Sequence, residues 1–254
     1  MNSLSVILIT RNEQANLDAC LSSIREIANE IVVVDSNSSD DTLAIAKSYN
    51  AVISSPSDWP GFGAQKNRAL DLATQDWVLS IDADERLSQA LRDEIKAVLS
   101  NPLADCYAIP RRSYYCGRLI DYSGWNPDFV TRLFKRGTSR FSDDLIHEKL
   151  LPNGPVQKLS APMIHYSFRT FSDVLQKIDR YSTDSAQQAF QSGKSSSVAT
   201  AVFHGCWAFF RTYFLKRGFL DGGHGLALAI SNAQGSYYRY LKLWLLNQKA
   251  DRAH

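Results

Sequence analysis

The chain opens on a run of apolar, largely β-branched residues, Leu4-Ser5-Val6-Ile7-Leu8-Ile9-Thr10. The run is too short for a typical helix and suits a strand buried on both faces. Arg11-Asn12-Glu13 stops it. Leu17, Cys20, Leu21, Ile24 and Ile27 then recur at helical spacing, which predicts an amphipathic helix over 14–28. Ile31-Val32-Val33-Val34 is a second strand, ending at Asp35. The polar stretch Ser36 to Asp41 supplies a turn and a cap for a helix carrying Leu43, Ile45 and Ala46. Ala51-Val52-Ile53 is a short third strand. Beyond a loop containing Trp59-Pro60-Gly61-Phe62-Gly63, residues 64–74 read as a helix. Trp77-Val78-Leu79-Ser80-Ile81 is a fourth strand, stopped by Asp82-Ala83-Asp84-Glu85. Strands joined by helices imply parallel pairing and right-handed crossovers, hence an α/β, doubly wound sheet.

After residue 100 the pattern changes. Short strands are predicted at Cys106–Ile109, Tyr114–Gly117 and Val130–Phe134, followed by Phe141-Ser142-Asp143-Asp144, and another strand ends at Met163-Ile164 before His165. Val198–Phe210 is apolar but spans only 13 residues and contains His204, short of the ~20 residues a membrane span needs. Arg211, Lys216 and Arg217 follow, interleaved with Tyr213, Phe214 and Phe219, and Tyr237-Tyr238-Arg239-Tyr240-Leu241-Lys242-Leu243-Trp244 repeats the theme. Aromatics beside basic residues suit an amphipathic segment lying in the headgroup layer. A helical pair packed on the rest of the chain, or on a second copy, explains the same residues.

Composition narrows the class. Of 254 residues, 44% are apolar and 21% charged, with 13 Gly and 8 Pro, which excludes a disordered or collagen-like chain. The four cysteines form no C-x-x-C pair, against a zinc ribbon or disulfide scaffold and in favour of a reducing compartment. The first residues lack the basic start and cleavage site of a signal peptide, so the expected address is cytoplasmic. Net charge is +2 overall, but −7 over residues 1–100, +4 over 101–197 and +5 over 198–254. An acidic first part can hold a divalent cation, and a basic remainder can face anionic substrates or lipid headgroups. The same acidity opposes an extended nucleic-acid track, and no nucleic-acid partner is expected.

Ligands of doubly wound sheets bind beyond the carboxyl ends of the strands. Thr10 to Glu13, Asp35 with Ser36, and Asp82 to Glu85 all fall there, although each acid could instead cap a neighbouring helix. No Gly-x-Gly-x-x-Gly follows the first strand, no P-loop exists, His147-Glu148 lacks the second His of a metalloprotease helix, and there is no Gly-x-Ser-x-Gly elbow. Asp82-x-Asp84 is the positive signal. Two carboxylates at a strand end can hold Mg²⁺ or Mn²⁺, with substrate phosphates completing the shell.

The residues Ser5-Val6-Ile7-Leu8-Ile9-Thr10-Arg11-Asn12-Glu13, Ile31-Val32-Val33-Val34-Asp35-Ser36 and Asp82-Ala83-Asp84 resemble the inverting family 2 glycosyltransferases of the GT-A fold. Trp59 to Asn67, Phe141 to Glu148 and Gly218-Phe219-Leu220-Asp221-Gly222 narrow the resemblance to bacterial lipopolysaccharide inner-core β-1,4-glucosyltransferases. The resemblance implies a nucleotide-sugar donor, with Thr10, Asn12, Glu13 and Asp35 at base and ribose, Asp82 at ribose, phosphate or metal, and Asp84 on the divalent metal. In related enzymes a late His completes the metal shell, here His165, although a structural His fits equally. Lys66 and Arg68 could meet the diphosphate or be solvated. The Gln-x-x-Arg-Trp element of processive synthases is missing, so one sugar per encounter is expected.

Inversion needs a base near the acceptor hydroxyl. Asp144 and Asp143 lead, with Glu148 third; Asp143 could instead cap a helix over 145–150. Trp125 and Tyr115, like Tyr114, offer flat faces to sugar rings, with core packing the competing account, and His147 is placed with them on the acceptor side. The expected organisation is a catalytic domain over 1–190 (donor and metal half 1–100, acceptor half 101–190) and a helical tail over 191–254. The expected activity is transfer of a hexose, glucose from UDP-glucose foremost, to a core-oligosaccharide glycolipid at the inner face of the cytoplasmic membrane. A sugar-1-phosphate nucleotidyltransferase and a non-catalytic glycan- or lipid-binding module are the alternatives.

Overall fold

The computed structural model describes residues 2–142 and 149–251. The chain forms two compact units, Met1–Arg111 with Asp128–His165, and Arg112–Pro127 with Tyr166–His254.

In the first unit, β1 (Leu4–Thr10), α1 (Gln14–Ile24), β2 (Glu30–Asp35), α2 (Thr42–Ser48), β3 (Val52–Ser54), α3 (Phe62–Leu72) and β4 (Trp77–Ser80) alternate as predicted. The order β3-β2-β1-β4 is parallel throughout. Alternate side chains of β1 go to opposite faces. Leu4, Val6 and Leu8 pack in one cluster with Leu17, Cys20, Leu21 and Ile24 of α1, whereas Ile7 packs in another with Ala69 and Leu70 of α3. Helices therefore cover both faces, which is why these strands carry apolar residues at nearly every position. Helix α1 ends four residues before its predicted limit. Ile27 and Ala28 both donate to the Ile24 carbonyl, closing a turn that keeps Ile27 buried.

The chain continues through β5 (Glu85–Leu87), α4 (Gln89–Ser100), β6 (Cys106–Tyr115), β7 (Arg118–Leu119), β8 (Asp128–Lys135), β9 (Ser139–Phe141), β10 (Leu150–Pro152), β11 (Val156–Lys158) and β12 (Met163–Phe168). Here the sheet turns antiparallel: β8 pairs with β4, β6 with β8, and β12 with β5. The continuous parallel run is thus limited to the first strands, and the remainder forms a mixed extension in which β11 pairs parallel with β6. Helix α4 has no counterpart among the predicted elements. Ser88 caps it by accepting from the Leu91 N–H, and Leu91, Ile95 and Leu99 face the core.

The second unit is built on α5 (Phe171–Gln191), α6 (Val198–Phe210), a π turn over Arg211–Leu215, a 3-10 turn over Gly218–Asp221, and α7 (Gly222–Asp251). Thr170 and Asp173 form a capping box that starts α5. Val174 of α5 shares a cluster with Leu228 of α7, and Ala186 and Ala189 share another with Leu243. Helix α5 therefore belongs with the tail helices, and the compact units part ahead of residue 190. No helix among the described residues is long and apolar enough to cross a membrane.

Candidate active site

The parallel register brings the ends of β1 and β2 level, with Thr10 opposite Asp35. Asp35 is fully buried and accepts from the Thr10 hydroxyl (2.9 Å) and from the Ser38 amide (2.8 Å). Asn12 has a left-handed backbone (φ 55°); its N–H donates to Ser38 Oγ (2.8 Å) and its side-chain oxygen accepts from the Ser39 N–H (2.8 Å). The Glu13 N–H donates to Thr42 Oγ1 (2.7 Å), and its carboxylate accepts from Asn16 (2.8 Å). Ser36, next in line, accepts from the buried amide of Gln65 (3.0 Å). The two strand-end loops are therefore laced together, and their carboxylates sit in a fixed frame.

At the end of β4, Asp82 meets two cations. Lys66 Nζ lies 3.0 Å from Asp82 Oδ1, and Arg132 on β8 binds Oδ2. Lys66 is 5% exposed and Arg132 7%. Arg132 also binds Glu85 (2.9 Å), which is completely buried, and Glu85 in turn accepts from the Asp82 N–H (2.9 Å). Arg111 completes the cluster, 3.5 Å from Glu85 and 2.8 Å from Asp128. Burial alone would raise the Asp82 carboxyl pKa. The Arg132 guanidinium first, and then Lys66, outweigh it and hold that carboxyl well below the usual carboxylate range. Buried charges of this kind persist only when paired and hydrogen-bonded. Arg132 meets that demand through Nη2, which binds both carboxylates and clamps the Asp82-Ala83-Asp84 turn, while its Nε has no hydrogen-bond partner among the described residues.

Asp84 points elsewhere. Its Oδ2 lies 3.3 Å from His165 Nε2, because β12 pairs antiparallel with β5 and sets His165 opposite Glu85. An imidazole nitrogen and a carboxylate oxygen at one spot are a donor pair that suits Mn²⁺ or Mg²⁺. Asp82, expected with them, has its carboxylate engaged by cations. Among the described residues no group of three or more His, Cys, Asp or Glu converges, so Asp84 and His165 fit a metal only if ligand oxygens complete its shell.

The sequence pattern of the family described as Glycosyl transferase family 2 matches residues 5–152, more than half of the chain. The chain belongs to that family. A glycosyltransferase of Rickettsia prowazekii is 32% identical over 267 residues, covering 98% of this chain and 89% of its own. The lipopolysaccharide core biosynthesis glycosyltransferase LpsC of Rhizobium meliloti is 32% identical over 257 residues, covering 93% of each. Among solved structures, S. aureus TarS 1-349 is similar with a TM-score of 0.51 at 16% identity, over 97% of this chain and 92% of that one. That likeness concerns the fold, which is GT-A. The TarS fragment has also been solved with UDP and with UDP-GlcNAc.

Other expected site residues of this glycosyltransferase fall differently. Arg68 turns to Asp58 (2.7 Å) and to Gln65 Oε1 (2.7 Å), a structural pairing of the aromatic loop with its helix. Tyr115, expected on the acceptor side, is not exposed to a ligand. It is 1% exposed, its hydroxyl bonds Ser231 (2.9 Å), and its ring packs against Trp125 and Phe168, so it is core of the second unit and offers no face to a sugar. Trp125 stacks on Phe168 and is partly exposed. Asp143, Asp144, His147 and Glu148 lie outside the described residues. The residues flanking them are held. The Ser142 N–H donates to the Lys149 carbonyl (2.8 Å), and the Asn67 side chain pairs with both the N–H (2.9 Å) and the carbonyl (3.0 Å) of Phe141.

Arg132 and Arg111 are members of the site to which the motifs gave no role; Glu85 was counted only among the strand-end acids and Gln65 only within the aromatic-loop motif, neither with its partner. Arg132 carried a usable signal: a cation inside Val130-Thr131-Arg132-Leu133-Phe134, at a strand position whose neighbours are buried, must find a carboxylate. The Gly218–Asp221 turn takes a structural role. Asp221 accepts from the amides of Asp121 (3.0 Å) and Tyr122 (3.2 Å) and from the Ser123 hydroxyl (2.6 Å).

Proposed function

We propose that this family 2 glycosyltransferase moves one hexose, with inversion, from a uridine-diphosphate sugar to a heptose of the lipopolysaccharide core or a similar glycolipid, with glucose the leading donor sugar. The observation that carries the reading is the meeting of Asp84 and His165 beside an Asp82 already neutralised by Lys66 and Arg132, at the carboxyl ends of β1, β2 and β4. LpsC, a lipopolysaccharide core enzyme by name, supports the acceptor class, and the TarS complexes are in keeping with a uridine nucleotide.

Asp35, held by Thr10 and Ser38, and the Asn12-Glu13 turn would receive base and ribose. Lys66 and Arg132 place positive charge where the diphosphate oxygens gather, and Asp82 keeps both cations in place. Asp84 and His165 would hold Mg²⁺ or Mn²⁺, which when bound offsets the charge of the departing diphosphate. Asp144 is the proposed base, with Asp143 and Glu148 as alternatives, all three resting on the sequence motif. Trp125 and His147 would serve the acceptor, in the expected division into a donor half 1–100 and an acceptor half 101–190, across which Arg132 and His165 reach back to Asp82 and Asp84. With a lipid-borne acceptor, the enzyme works as a peripheral protein on the cytoplasmic face of the membrane, through the tail over 191–254.

The test is a donor screen with Mn²⁺ or Mg²⁺, scored by nucleoside diphosphate release with and without heptosylated acceptor. Asp84→Asn should lower acceptor-dependent release by about 100-fold or more, in line with the several kcal/mol a metal ion contributes to transition-state charge. Wild-type turnover by that variant with metal present ends the reading.

A further inference from the structure

Helix α6 and the π turn after it have two unlike sides. Ala201, Gly205 and Thr212 are buried, and at Gly205 a Cβ would lie 3.1 Å from Tyr237 Cβ and 3.4 Å from the Ala233 carbonyl, so small residues let α6 seat closely on α7. On the opposite side Phe203, Trp207, Phe210 and Phe214 are 66%, 46%, 45% and 50% exposed. Their spacing of four, three and four places them in one stripe. The next turn adds Phe219 (47%) and Leu220 (50%). A contiguous exposed aromatic stripe on a water-soluble surface marks a partner.

The charge around the stripe indicates which partner. No Asp or Glu occurs from residue 185 to residue 220, whereas Arg211, Lys216 and Arg217 all stand exposed between the aromatics. A second protein surface meeting this stripe would ordinarily call for some acids among the bases, but an anionic headgroup layer calls for bases alone. We propose that the outer face of α6 and the following turns dock on an anionic lipid bilayer, with Phe203, Trp207, Phe210 and Phe214 inserted at the acyl boundary and Arg211, Lys216 and Arg217 among the lipid phosphates. This rests on the reading of a membrane-borne acceptor and names the surface that reaches it.

The full chain is sedimented with phosphatidylcholine vesicles, alone and with about 30% phosphatidylglycerol. Binding should be at least about tenfold tighter to the anionic vesicles and should weaken as salt rises. Trp207→Ser with Phe210→Ser should lose about tenfold or more on anionic vesicles, and Arg211→Gln with Lys216→Gln and Arg217→Gln should bring anionic binding down to the neutral level. Circular dichroism checks that both sets fold, and the charge set keeps the test open should the serine pair misfold. Equal binding of wild type and both sets overturns the surface. So does absence of vesicle binding together with a wild-type dimer that the serine pair turns into a monomer, which would make the stripe an interface between copies. Transfer is measured separately on a water-soluble acceptor fragment, where both sets should match wild type. Vesicle binding without any transfer sinks the sugar-transfer reading and leaves the surface standing.

Discussion

Glu13 sits half-buried where the β1 loop meets the site, and its carboxyl pKa is raised, first by burial and then by Asp84, Asp40 and Asp82, against the opposing hydrogen bond from Asn16. A carboxyl whose folded pKa is raised binds its proton more tightly in the native state than in the unfolded chain. Its contribution to stability is therefore present below the unfolded carboxylate pKa and is lost as pH rises through the higher folded value. Glu13→Gln mimics the protonated form, so it should raise the melting temperature at pH 7.5 and give no gain near pH 4, as scanning fluorimetry at the two pH values would read. An equal gain at both would assign the effect to packing. Arg132 tests the opposite sign. Arg132→Met leaves Asp82 and the fully buried Glu85 short of a cation and should cost about 3–5 kcal/mol by urea unfolding. Arg132→Lys keeps the charge but not the forked geometry and should fall between; a neutral Arg132→Met would disprove the clamp. At this scale the sequence disclosed the acids better than their partners. Asp35, Asp82 and Asp84 stand at strand ends, where position alone nominates them, but which cation an Asp meets depends on β8 lying beside β4, and single-strand patterns carry no such information.

At the scale of elements, what was legible is what repeats along one segment. The strand and helix periods of residues 4–81 are regular, and they appear in the structure with small shifts at the ends. Helix α4 is amphipathic and capped by Ser88, yet the acids before it drew attention as chemistry rather than as a helix start. The sequence predicts two pieces, Cys106–Ile109 and Tyr114–Gly117, where the structure has the single strand β6. The strand continues through Pro110 and Arg111 along the β8 ladder, with Arg111 paired to Asp128 and Arg112 to Asp121. Two element junctions invite direct tests. Asn67 on α3 is the partner of both polar backbone groups of Phe141; Asn67→Ala leaves these buried groups unmet and should cost about 1–3 kcal/mol each at most, with amide exchange at Phe141 rising in step. On α7, a Cβ at Gly225 would fall 1.9 Å from the Gly218 carbonyl. Gly225→Ala must therefore displace the 3-10 turn and loosen Asp221 from the amides of Asp121 and Tyr122. A melting temperature equal to wild type would show that the turn yields without cost.

Over the whole molecule charge is sorted rather than balanced: −7 in residues 1–100 and +9 in the remainder. The proposed donor site draws its carboxylates from the acidic part. Glu13 and Asp84 stand partly exposed there and Asp35 is buried; Lys66 and Arg132 are both already committed to Asp82, with Glu85 drawing further on Arg132. A nucleoside diphosphate entering this site brings more negative charge to a region whose fixed cations are largely spent, so its binding should depend on an added divalent ion. UDP affinity measured by calorimetry should accordingly be about tenfold weaker in EDTA than in Mn²⁺, which corresponds to about 1.4 kcal/mol. Asp84→Asn should erase the difference, since it removes the carboxylate that meets His165, while the Lys66 and Arg132 pairs with Asp82 remain and keep the residual affinity that wild type shows in EDTA. Binding that ignores Mn²⁺ in wild type would instead mean that Lys66 and Arg132 release enough of Asp82 to carry the diphosphate unaided. In that event replacing Lys66 by Met, rather than Asp84 by Asn, should abolish UDP binding.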